Sequence, residues 1–412
     1  MVGTGTSCTT GTPKSILAQP RIRRVLAANT LSALGSSMAP VALAFAVLGM
    51  GSGVAGLSLV LALNSIPALL FLVLGGVLAD RVSRSRLLVV GRCAAGTTQL
   101  CTAALVLSGT GETLSLAIAS FASGAATAVA GPAGQAILRQ VVDSVEQLSS
   151  VDAVNRVAGN TVRIAGPVMG GAAAAAVPPG WVLVFDALTF FAAAGMVLKL
   201  GLPGAAVDGS SGAWRMLVDG ATEISRKTWL LANMIFGSLL VLCWRAGYQL
   251  AGPGIVAEVG LGSAWWGLVQ GAFGLGLVLG GLVMLRWRPQ RLVVVSILGC
   301  AALAAPLLAL ATHCPVTVVV VCSVVAGIGM DIGIICWSTA LGQHISVEMQ
   351  GRVFAFTSLG ESAAVPFGYL AVGIAEQRIS LFALELVCGV GILAAVVLNL
   401  CVRSVWAIRR IG

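Results

Sequence analysis

Long apolar runs alternate with short breaks of charge, glycine and proline from about residue 25 to residue 402. A helix needs about 20 apolar residues to cross the hydrocarbon of a bilayer, and each run is that long. Twelve spans are predicted, at 25–48, 54–79, 87–107, 113–137, 150–176, 181–202, 229–252, 264–285, 292–312, 316–341, 352–376 and 380–402. An even number puts both ends of the chain on one side.

The breaks say which side. With the N-terminus in the cytoplasm, the inner loops and tails collect Lys14, Arg21, Arg23, Arg24, Arg81, Arg84, Arg86, Arg139, Arg215, Arg226, Lys227, Arg286, Arg288, Arg291, Arg352, Arg403, Arg409 and Arg410. Only Arg378 falls in an outer loop. Lys and Arg accumulate in loops that stay inside, so both termini are predicted to be cytoplasmic, in a multi-pass protein of the cell (plasma) membrane.

Composition agrees with this pattern. The 412 residues are 58% hydrophobic and 9% charged, with a mean hydropathy of +0.99, far from any water-soluble domain. A formal net charge of +9 raises the possibility of nucleic acid. The basic residues, however, punctuate the apolar runs and form no patch interleaved with aromatics, so no nucleic-acid partner is expected. Most of the ten cysteines sit inside apolar runs without a Cys-x-x-Cys pair, and His313 and His344 fall at run ends. No metal site or cofactor is expected, and no convergent nucleophile set points to an enzyme.

The chain also repeats itself. Gly75-Gly76-Val77-Leu78-Ala79-Asp80-Arg81 aligns with Gly280-Gly281-Leu282-Val283-Met284-Leu285-Arg286 at a shift of about half the chain length, and Arg86-Leu87 aligns with Arg291-Leu292. Two six-span halves follow, with Leu285 standing in the second where Asp80 stands in the first. The predicted division is a flexible tail (1–20), a first bundle (21–202), a cytoplasmic connection (203–228), a second bundle (229–402) and a short tail (403–412). Within the connection, Trp214 to Lys227 is amphipathic and is expected to lie along the inner interface.

The turn around Gly76, Asp80, Arg81, Arg84 and Arg86 resembles the loop 2–3 signature of the major facilitator superfamily of secondary transporters. That resemblance implies an all-α membrane fold of twelve helices in two pseudo-symmetric six-helix bundles. Three further stretches, Ala130-Gly131-Pro132-Ala133-Gly134-Gln135, Arg163-Ile164-Ala165-Gly166-Pro167-Val168-Met169-Gly170-Gly171 and Gly351-Arg352-Val353, are similar to the macrolide- and siderophore-exporter branch. Gly166, Pro167, Gly170 and Gly171 look like the span 5 motif of drug and proton antiporters. It implies proton-coupled efflux of a small amphiphilic metabolite or antibiotic, by a monomer whose partners are its substrate, protons and lipid. Asp80 with Arg81, Arg84 and Arg86 would latch spans 2 and 3 to span 11 near Gly351 and Arg352. Proton-coupled nutrient uptake, or a non-transporting sensor or scaffold, are the alternatives.

Several polar residues inside the spans are candidates for the work. On span 5, Asp152, Asn155 or Arg156, Gly159 or Asn160, Arg163, Gly166 or Pro167, and Gly170 recur at steps of three and four and share one helix face. Arginine at mid-membrane costs about 2.5 kcal/mol or more, so Arg163 needs water or a partner. Asp152 and Arg156 are spaced for an i,i+4 ion pair. A carboxyl that meets water and apolar surroundings in turn can take up and release a proton, which makes Asp186, Asp331, Glu361 and Glu385 candidates for coupling. Depth, and the inward-facing spans 10 and 11 that the resemblance implies, rank Glu361 and Asp331 first, with Arg245 as counter-charge. Phe45, Asn64, Asn160, Trp244, Gln249, Gln270 and Trp337 offer aromatic and amide surface for substrate, whereas Trp265 and Trp266 are expected to anchor the outer interface.

Overall fold

A computed structural model of the chain describes residues 19–79, 84–142, 145–200 and 213–411. Six long helices form the first half: α1 (Pro20–Gly49), α2 (Gly53–Ala79), α3 (Arg84–Ser108), α4 (Thr113–Gln140), α5 (Val145–Ala176) and α6 (Pro179–Leu198). A short amphipathic helix, α7 (Ala213–Arg226), follows the connection. The second half holds α8 (Thr228–Trp244), a π-helical segment (Arg245–Ala251), α9 (Gly252–Glu258), α10 (Ser263–Arg286), α11 (Leu292–Ala301), α12 (Ala304–Ala311), α13 (Val316–His344), α14 (Val347–Ala375) and α15 (Leu381–Leu400). The five-residue α16 (Arg403–Ala407) closes the described chain. Counting α8 to α9 and α11 to α12 as one crossing each, this is the predicted set of twelve spans in two bundles.

Local chemistry explains the breaks. Gly51 and Gly53 adopt φ of 77° and 60°, a region that costs side-chain-bearing residues, and turn the chain between α1 and α2. The ninth span is expected to be continuous but bends at Ala302–Leu303. Pro306 has no N–H to give Ala302, and three-residue turns such as Leu303 N–H to Cys300 O (3.1 Å) replace the regular ladder. The seventh span widens into a π-helix over Arg245–Ala251 for a similar reason, because Pro253 cannot donate to Gln249 and its ring crowds that carbonyl.

Among the described residues, eight stretches are long and apolar enough to cross a membrane by composition alone, and α3, α4, α5 and α14 are not among them. Some of their polar residues, such as Arg92 and Asn155, turn toward neighbouring helices and cavities, whereas Arg156 and Asn160 are exposed. Between the halves, α5 packs on α10 and α2 packs on α14. These are spans 5 with 8 and 2 with 11, so the internal repeat produces one contact twice. On the first, Gly171 and Gly267 approach so closely that a Cβ at Gly171 would lie 2.9 Å from the Gly267 Cα. Ser263 Oγ donates to Gly171 O at 2.9 Å across the same contact. On the second, Glu376 Oε1 accepts the Ala55 N–H at 2.7 Å, so the end of α14 caps the start of α2. Helix α7 docks on α14, and Arg352 Nη1 pairs with Asp219 Oδ2 at 2.8 Å.

Candidate functional site

A cavity of about 280 Å³ lies between the halves. From the first half come Ser37, Pro40, Val41 and Ala44 of α1, Leu61 of α2, and Arg163 and Pro167 of α5. From the second come Arg245 and Gln249 of the π segment, and Trp266, Gln270, Phe273, Gly274 and Leu277 of α10. Its walls are apolar and aromatic, with two guanidinium groups and two amides set into them, one arginine from each half.

The π segment carries half of this chemistry. In an α-helix Arg245 and Gln249 would be neighbours on one face, and the widened turn keeps both on the cavity. Arg245 Nη1 donates to Gln249 Oε1, and the Tyr369 hydroxyl of α14 donates to the same oxygen at 3.2 Å. Behind them Tyr248 stacks on Trp244 with ring centroids 4.1 Å apart and leans on Trp266 at 5.1 Å. Its hydroxyl donates to Val269 O at 3.0 Å, fixing the π turn to α10. Gly247 and Gly252 admit these neighbours, since a Cβ at Gly247 would lie 2.7 Å from Glu385 Oε2 and one at Gly252 would strike the Trp266 ring.

The Gly-Pro motif of α5 forms a three-helix junction beside the cavity. A Cβ at Gly166 would meet Ser37 Cβ at 2.5 Å and one at Gly170 would meet Met38 Cα at 2.8 Å, both on α1, while Gly171 faces α10 in the other half. Pro167 lines the cavity itself.

The other predicted residues are distributed more widely. Gln249 and Gln270 line the cavity, and Trp244 stands one layer behind it against Phe273, centroids 5.0 Å apart. Asn64 Nδ2 donates to Ser120 O at 2.9 Å between α2 and α4, and Trp337 meets Trp229 edge-on at 5.7 Å. Phe45 packs on the core, and Asn160 is exposed on α5 outside the cavity lining. Among the acids, Asp186 is buried against α1, where Ser36 Oγ donates to it at 3.5 Å. Asp331 faces Gly281 of α10, 3.2 Å from where its Cβ would stand, within the field of Arg163. Glu361 faces Gly237 of α8. None of the three lines the cavity. Of the loop motif, Asp80 and Arg81 lie outside the described residues, as do the surroundings of Gly76 and the side chain of Arg84; Arg86 and Gly351 are exposed.

Two expectations are corrected. Trp266 is no interface anchor: it is 1% exposed, packed between Tyr248 and the cavity, while its neighbour Trp265 is 42% exposed. Two adjacent residues on a helix point about 100° apart, so one faces inward. The Asp152–Arg156 ion pair does not form; among the described residues the ion pairs are Lys227–Glu223 and Arg352–Asp219.

One residue that the sequence pattern left aside gains importance, and one of the candidate acids proves to be unpartnered. Arg92, an arginine inside the third apolar run, is 6% exposed and donates to Asn29 Oδ1 at 2.7 Å and Ala193 O at 3.4 Å. It borders a second cavity of about 300 Å³ enclosed by α1, α3, α4 and α5 of the first half. Glu385, fully buried on α15 over Gly247, has no hydrogen-bond partner for either carboxyl oxygen.

Paired helix bundles around a central cavity define a secondary-transporter fold, and the sequence agrees. Residues 25–369 match the family described as Major Facilitator Superfamily, and the chain belongs to it. It is therefore a multi-pass membrane transporter with a small-molecule substrate. No curated protein sequence matches the chain. Among solved structures it is similar to a mutant form of the nucleoside transporter NupG at a TM-score of 0.73 and 13% identity, covering 93% of this chain and 99% of that one. A bacterial homologue of the iron transporter ferroportin in an inward-facing state gives 0.73 at 14% identity, covering 92% and 98%. A D-xylose-proton symporter gives 0.65 at 14%, covering 91% and 96%.

Proposed function

We propose that the protein exports a small amphiphilic organic molecule in exchange for protons, by alternating access in the plasma membrane with both termini cytoplasmic. The observation that carries this reading is the cavity itself: it lies between the halves, so its walls separate when they rock. With the N-terminus inside, the ends joined by Gly171–Ser263 and Ala55–Glu376 are the outer ends, and the cavity stands ready to load from the cytoplasm. The Gly166-Pro167-x-x-Gly170-Gly171 junction touches both α1 and the opposite half, where a change in packing would pass directly between bundles. The likeness of this motif to the span 5 motif of drug and proton antiporters is what favours export over the importer alternative.

Glu361 and Asp331 are the favoured proton carriers, with Asp186 held in a hydrogen bond within the first half. Each sits a helix away from the cavity, so proton binding would act on substrate through helix packing. Asp80, Arg81, Arg84 and Arg86 remain the proposed inner latch, and Arg352 already holds the start of α14 to Asp219 of the connection.

Inverted membrane vesicles acidified inside and loaded with a pH-sensitive dye test the reading. Adding an exported compound should release protons and restore fluorescence; Glu361→Gln should abolish that response and Asp80→Asn should abolish transport while membrane insertion stays intact. A compound accumulated by right-side-out vesicles under an inward proton gradient, with no response in inverted ones, would establish import instead.

A further inference from the structure

Resting on the transport reading above, we infer that the central cavity is an anion site. Arg163 from one half and Arg245 from the other bind the acidic group of a small organic anion with an aromatic or apolar body.

The argument begins with charge. Two guanidinium groups face one cavity of about 280 Å³, and among the described residues neither has a carboxylate within ion-pairing distance. Arg245 is held by neutral partners, Gln249 and the Tyr369 hydroxyl beside it, so its charge is positioned without being neutralised. Arg163 feels Asp331 at longer range, and that carboxylate faces α10 rather than the cavity. A guanidinium cannot shed its proton in a protein, so the cavity stays doubly cationic. Charges held at membrane depth mark substrate or ion pathways, and a guanidinium presents its donors in the fork that fits carboxylate, sulfonate or phosphate.

The remaining walls describe the rest of the ligand. Phe273 offers an aromatic face, with the buried Trp266 packed at the wall, and Gln270 an amide. The volume lies at the small end of ligand pockets, which run from about 300 to 1,000 Å³. A one- or two-ring acid fits this; an extended polyketide does not. Since the arginines belong to different halves, an anion between them replaces repulsion across the interface with two attractions. Loading would thus favour closure of the halves around the ligand.

The test uses the full-length protein purified in detergent, with no proton gradient, and three probes of one shape: 1-naphthoate, neutral 1-naphthamide and 1-naphthylmethylammonium. Binding is read by thermal stabilisation and by tryptophan fluorescence. Naphthoate should bind tightest, weakening as salt is raised, with the ammonium probe weakest. Arg163→Gln and Arg245→Gln should each weaken naphthoate about tenfold, a lost charge-assisted contact, while leaving naphthamide unchanged. Lysine at either position should recover part of the loss, and Arg288→Gln, on an exposed loop, should change nothing. Melting of the unliganded variants checks that they fold. Equal binding of the three probes, preference for the cation, or no binding of any overturns the anion site. Because no gradient or direction enters, anion binding without proton-driven efflux would sink the export reading alone, and charge-blind binding with efflux would sink this inference alone.

Discussion

Two cavities hold arginine inside this membrane protein, and they treat it differently. In the first half, Arg92 is 6% exposed, and Asn29 and the Ala193 carbonyl accept its hydrogen bonds. Between the halves, Arg163 and Arg245 face open space, and the partners of Arg245 are the neutral side chains of Gln249 and Tyr369 within its own half. The first arrangement ties three helices of one rigid bundle together. The second leaves donors unused on the two bodies that the proposed alternating access would move apart. An arginine inside a membrane is expensive in both places; on the reading proposed above, the expense within the first half is structural and the one between the halves is kept for a ligand.

The largest effect that would sharpen this contrast comes from wedging the halves apart without touching the inner cavity. Gly171→Leu places a side chain where a Cβ alone would lie 2.9 Å from the Gly267 Cα. Overpacking of this kind costs about 1–3 kcal/mol in the joined state, so transport by vesicles should fall about tenfold or more while the protein still inserts and melts as one unit. Normal transport would mean that the α5–α10 contact opens freely. A smaller effect is expected at the inner arginine. Arg92→Met leaves Asn29 Oδ1 and Ala193 O without their donor, and about 1–3 kcal/mol of stability should be lost, read as a lower melting temperature in detergent. Unchanged stability together with lost transport would move Arg92 into the functional class and break the comparison. Glu385 should give the smallest change, and of opposite sign. Neither of its oxygens has a partner, so Glu385→Leu should raise stability by about 1 kcal/mol, within the range set by an unsatisfied buried polar group. If the variant is more stable and also fails to transport, the orphan carboxyl is held for function.

Much of this was legible along the chain. Most spans can be counted because they are apolar over nearly their whole length, although α3, α4, α5 and α14 fall short of that rule. The α5 motif could be placed because glycine and proline at fixed spacing point to one packed face, and Gly166, Gly170 and Gly171 do pack tightly. Arg163, Arg245, Gln249 and Gln270 stood out as polar groups in apolar runs, and all four line the central cavity. Arg92 carried the same signal. The burial of Trp266 was not legible, because a residue's exposure depends on which neighbouring helix covers it. Nor was the spread of Asn64 and Trp337 to packing contacts within the bundles.

From sequence alone come the number of crossings, the two-fold repetition and the polar residues that lipid cannot solvate, because each of these obeys a local rule of length or transfer energy. The tertiary structure decided which of those residues meet. Arg163 and Arg245 share a cavity only because α5 and the π segment are brought together by packing between distant parts of the chain, and Pro253 widens the turn that presents Gln249 beside them. Periodicity within one helix carries no information about the helix that will stand opposite.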